Sequence, residues 1–141
     1  MRYLSFLALL TTLVMMTSCR AINGPSGDDS VTIELLEHDF VFIEGADAWL
    51  VFANPIADSR CPADVECITQ GSASIEMRLT RSSSQTFFVL EGFVGPIGSE
   101  PATGISEDVD GVVVSLLNLD PYPVDSISSN ELYRAVLRVD Y

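Results

Sequence analysis

From Val31 onward the apolar residues of this chain recur with a period of two. They come in short β-branched and aromatic runs closed by Gly, Pro, Asp, Asn or Ser. A period of two sends successive side chains to opposite faces of an extended strand, and no stretch here has the three-to-four spacing of an amphipathic helix. The runs are 31–37, 40–43, 48–52, 72–80, 85–90, 112–119 and 132–141. In 72–80, Ile75, Met77 and Leu79 alternate with Glu76, Arg78 and Thr80, so one face is buried and the other is wet. In 132–141, Tyr133, Ala135, Leu137, Val139 and Tyr141 share a face. Phe87-Phe88-Val89-Leu90 is apolar on both faces and reads as a fully buried strand, as does 112–119. Trp49, the only tryptophan, falls in an apolar run and reads as core rather than as a sugar-stacking platform. Arg81-Ser82-Ser83-Ser84 predicts a hairpin turn. Residues 95–109 and 118–130, rich in Gly, Pro and Ser, predict two long loops. About seven strands at this spacing predict an all-β domain, an antiparallel β-sandwich or a small barrel, over residues 31–141.

The N-terminus gives the chain an address. Arg2 is followed by the apolar run Leu4–Met16, shorter than the roughly 20 residues a membrane-spanning helix needs. The run ends Met16-Thr17-Ser18-Cys19, which resembles a bacterial lipobox, with Met16 where leucine is usual. The resemblance implies a lipoprotein signal peptide over 1–18, cleavage before Cys19, and thioether and amide acylation of that cysteine. Two or three acyl chains, at about 0.8 kcal/mol per buried methylene, hold a small domain on a membrane. Residues 19–30, with Gly24, Pro25, Gly27 and Asp28-Asp29, read as a flexible tether. The expected location is the bacterial cell envelope. Arg20, rather than aspartate, after the cysteine points to the outer membrane over the inner.

Exported chains live in oxidising surroundings, where close cysteine pairs become disulfides. With Cys19 assigned to lipid, the remaining two of three cysteines, Cys61 and Cys67, form an even pair. A zinc site would need about four ligands, and a redox centre would prefer C-x-x-C. A nucleophile would need a base, and His38 is the single histidine. A structural staple is the leading expectation.

Between the third and fourth runs lies Asp58-Ser59-Arg60-Cys61-Pro62, then Cys67 and Gly71. This resembles a motif of uncharacterised bacterial lipoproteins and secreted proteins, D-S-R-C-P, a spacer, C, an aromatic and G, with Thr69 at the usual aromatic position. Leu116–Leu119, Asp120-Pro121-Tyr122-Pro123 and Tyr133-Arg134-Ala135 extend the likeness. It implies a small exported β-domain and no particular activity. Pro62 cannot donate a ladder hydrogen bond, so the chain leaves its sheet there, and Gly71 lets it turn back. Arg60 has two readings: it grips the neighbouring carboxylates and carbonyls to shape the loop, or it offers its guanidinium to an anionic ligand.

No catalytic set stands out. Carboxylates are too abundant for any pair to be informative, and His38 between Glu37 and Asp39 has no G-x-S-x-G elbow to serve. From Cys19 onward, 20 acids face six arginines and no lysine, a net charge of −14. Such a surface excludes nucleic acid and keeps the protein dispersed. Glu107, Asp108 and Asp110, in the acidic stretch 106–111, are a calcium candidate, the only cofactor the sequence suggests. The expected function is a non-enzymatic structural or binding module, lipid-anchored, with an envelope protein as candidate partner. The alternatives are a hydrolase using His38, or an inhibitor of secreted proteases that presents a rigid loop.

Overall fold

The computed structural model describes residues 29–95, 105–124 and 131–141. The segments expected as signal peptide and tether, with Cys19, lie outside the described residues except for the last two tether positions.

Eight strands are present: β1 Ser30–Leu36, β2 Phe40–Ile43, β3 Ala48–Asp58, β4 Ala73–Arg81, β5 Ser84–Gly92, β6 Ser106–Val109, β7 Val112–Asp120 and β8 Arg134–Asp140. They form two antiparallel four-stranded sheets, ordered β1-β8-β7-β6 and β2-β3-β4-β5. Neighbours follow the chain all the way round, as in an up-and-down barrel. The ladder is nonetheless broken between β1 and β2 and between β5 and β6, so the molecule is a sandwich.

The alternation explains the core. Val41, Ile43, Leu50 and Phe52 from β2 and β3, with Ile75, Met77, Leu79 and Leu90 from β4 and β5, point inward. They meet Val112, Val114, Leu116, Ala135, Leu137 and Val139 of the other sheet. The 81–84 turn is a two-residue connection from β4 to β5 with Ser82 at φ 51°.

Three expectations need correction. Residues 106–109 are a strand, β6, not loop. Val109 is buried, and pairing with β7 gives this short acidic segment the partner that its sequence does not announce. β3 runs six residues beyond Phe52, through Pro55, with register shifts at Phe52/Asn54 and Pro55/Ala57. β2 pairs with Ala48–Val51, and Phe52 still bonds Asp39 O and His38 N; beyond it no strand pairs that side of β3 among the described residues, so a proline there removes no ladder bond. β5 is not buried on both faces: Phe88 and Leu90 point inward, but Phe87 and Val89 are exposed. No element covers the outer face of this sheet among the described residues.

Candidate functional site

Two features built from sequence-singled residues stand at different places. The first is a buried knot at one end of the sandwich. Past β3 and β4 the chain stays paired: Ser59 N donates to Ser72 O at 2.8 Å and Cys61 N to Gln70 O at 2.8 Å. Gly71 has φ +70°, and a Cβ there would lie 1.8 Å from the Ser59 carbonyl oxygen. A side chain at this position is therefore blocked by both the backbone conformation and the opposite strand. Beyond this neck, Cys61 and Cys67 form the expected disulfide, with Cα atoms 5.9 Å apart.

Arg60 turns inward and is only 2% exposed. Its Nε and Nη2 donate to the two Asp58 carboxylate oxygens at 2.9 and 2.6 Å. Nη1 donates to Leu119 O at 2.7 Å and Nη2 also to Pro121 O at 2.9 Å. The Tyr122 ring lies 4.7 Å from the guanidinium carbon, and Tyr133 Oη donates to Asp58 at 3.2 Å. Ala63 N donates to Pro123 O at 3.0 Å. One planar cation thus ties the end of β3, in one sheet, to the end of β7, in the other. Of the two readings of Arg60, the geometry is that of the grip; the guanidinium is enclosed rather than offered to a ligand.

The charges respond accordingly. Burial pushes the Asp58 carboxyl upward, but the hydrogen bonds and charge of Arg60 outweigh it and leave it below the ordinary 3.8. Burial and the Asp58 charge raise Tyr133 above its usual value. Burial also raises Asp120, against the pull of Arg60 and Arg134.

The other candidates are scattered. His38 sits at φ 73° in the turn between β1 and β2, exposed, 3.5 Å from Glu37 and without a serine partner among the described residues. Glu107 pairs with Val114 and Asp108 with Val113, which puts the two carboxylates on opposite faces of β6. Asp108 Oδ1 accepts the Gly111 N–H at 3.0 Å, and Asp110 lies at φ 54° in the same turn. Among the described residues no group of three such side chains could hold a metal ion. These acids shape a hairpin.

The second feature was missed by the sequence reading. Trp49 is 45% exposed, not core, because its register partner Phe42 and its neighbour Phe40 face outward with it. The Trp49 ring meets Phe42 at 5.0 Å and Phe40 at 5.5 Å, the latter edge-to-face. Register lines up Phe40, Val51, Arg78 and Phe87 straight across the outer face of β2-β3-β4-β5, with Phe42, Trp49, Thr80 and Gln85 as the next row. Between these rows lies an open groove of about 290 Å³ lined by Phe40, Trp49, Val51, Arg78, Thr80 and Gln85. The available signal was Phe40, Phe42, Trp49 and Phe87 all falling out of phase with the inward residues of their own strands.

An exposed aromatic row rimmed by polar groups is uncommon, since small domains rarely leave such patches bare. Compared with known proteins, the chain matches no family model, no curated protein and no solved structure, so this surface has to be read from its own chemistry.

Proposed function

We propose that this chain is a non-enzymatic binding module of the bacterial cell envelope, held on the membrane by lipid at Cys19, outer rather than inner. Its binding face is the outer face of β2-β3-β4-β5. The observation that carries this reading is the aromatic row, in which Phe40 at 66% and Phe87 at 57% exposure bracket Trp49. Side chains that large cost solvation free energy when left in water, about 1.5–3 kcal/mol for each one that a partner could bury. The lipobox-like end and the tether would hold this face near envelope components. The buried, satisfied Arg60 knot supports a rigid module, and the acids of β6 are engaged in a turn.

Two measurements test it. Replacing Cys19 by alanine should abolish incorporation of labelled fatty acid into the protein; unchanged labelling would remove the anchor. The same lipid-free chain should sediment with isolated envelopes. Phe40→Ser with Trp49→Ser should release it, and equal sedimentation of the two proteins would remove the binding face.

A second reading rests on the 58–71 loop. Residues 63–70 are exposed and Ile68, next to Cys67, is fully so, on a loop braced by the disulfide and the Arg60 knot. That is the form expected of a protease inhibitor that inserts an apolar side chain into a specificity pocket. Elastase activity titrated with the protein tests it. Stoichiometric inhibition lost on Ile68→Asp would support it, and undiminished activity would sink it.

A further inference from the structure

Arg78 is the unusual member of the aromatic groove. Arg60 and Arg138 are paired with Asp58 and Asp140, and Arg81 donates to the Asp110 carbonyl. Arg134 stands in the field of Asp120. Arg78 has the Phe87 ring 5.9 Å from its guanidinium carbon, a shielded Nε without an acceptor, and no hydrogen bond or ion pair among the described residues. Glu76, the next outward residue on β4, is turned to Asn54 Nδ2 at 3.3 Å. In a chain with 20 acids, this guanidinium in the middle of an apolar face has no carboxylate partner among the described residues.

Building on the binding-module reading, we infer that this groove takes a saccharide bearing a carboxylate, with the sugar's C–H face against Trp49 and Phe40 and its carboxylate on Arg78. The backbone of β3 and β4 here is already paired on the ladder, so a peptide cannot add a strand to this face. Recognition must come from side chains alone. Those present are flat aromatic surfaces, which cover ring C–H groups, beside the Thr80 hydroxyl and the Gln85 amide, which can serve ring hydroxyls. The groove, at about 290 Å³, lies at the small end of ligand pockets, which run from about 300 to 1,000 Å³. It is open rather than enclosed, which leaves room for a chain of rings to extend past it. A guanidinium favours carboxylate bidentately. A second copy of this chain is a poor occupant, because each copy from Cys19 on carries a charge of −14.

The single tryptophan reports on the groove directly. Emission of the purified full chain should shift saturably with trigalacturonate. The response should weaken about tenfold with its methyl ester, which keeps the rings and removes the charge, and by a similar factor for Arg78→Gln. The ester comparison is made on the unaltered protein and does not depend on the variant folding. Equal binding of acid and ester overturns the inference. So does an emission shift that follows protein concentration with a rise in sedimenting mass, which would make a second copy the occupant. No response at about 10 mM sugar also overturns it. If envelope sedimentation still depends on Phe40 and Trp49 in that case, the binding face stands and only the ligand class falls.

Discussion

At the residue scale, Arg60 and Asp58 hold two sheets together through one ion pair and two carbonyls. Arg60→Met would leave a part-buried carboxylate and two carbonyls without their donor. The expected loss is about 3–5 kcal/mol in chemical denaturation, the usual cost of breaking one side of a buried pair. Arg60→Lys should recover only part of it, because an ammonium cannot span Asp58, Leu119 O and Pro121 O in one plane. A Met variant as stable as the parent would contradict the knot. Asp58 supplies a pH dependence of defined sign. Its folded pKa lies below the ordinary 3.8, so its contribution is full above that value and fades as pH falls through the folded pKa. Asp120, shifted upward, acts in the opposite sense. The stability difference between parent and Asp58→Asn should therefore be constant near neutrality and shrink below pH 3.8; urea midpoints across that range would show it. A difference independent of pH would remove the pair as its source.

At the scale of elements, the 58–71 excursion keeps its shape through a paired neck and one glycine. Gly71→Ala meets both a left-handed φ and the Ser59 carbonyl oxygen at 1.8 Å, and should cost at least about 2 kcal/mol. It should also speed exchange of the Ser59 and Cys61 amides that close the neck. Gly111 provides the control. It has φ +81° but open space for a Cβ, so Gly111→Ala should cost only the conformational part, about 1 kcal/mol. Equal losses at the two positions would mean that the close approach at Gly71 does not matter. The element that best shows the value of context is β6, where Ser106 Oγ meets Ser115 Oγ at 2.8 Å and only Val109 is buried.

For the whole molecule, the consequence of two sheets rather than one closed barrel is measurable. The sides of β5 and β6 that face each other are not joined by a ladder, nor are those of β1 and β2. Amide exchange should be slowest in β3, β4, β7 and β8, which lie inside the sheets. The β5 amides directed away from β4 should exchange fast, because no strand among the described residues pairs with that side. Uniform protection of both sides of β5 would mean a closed barrel. The faces also divide the work: the interior is mostly aliphatic around Phe52 and Phe88, while Phe40, Phe42, Trp49 and Phe87 are spread over one outer face.

The sequence by itself determined the class of fold, most strand positions, the alternation that selects the core, and the pairing of Cys61 with Cys67. These depend on local backbone geometry and on a loop too short to leave much choice. It also named Arg60, Asp58, Gly71, Pro121 and Tyr133 as notable without showing that most of them meet, since Asp58 and Tyr133 are 75 residues apart in the chain. Only the tertiary structure decided that β6 is a strand, that β3 survives Pro55, and that Trp49 and Phe87 look outward. A period of two says that neighbours face opposite ways. It does not say which face a second sheet will cover, and where both faces of a strand are apolar, that choice belongs to the packing of the two sheets.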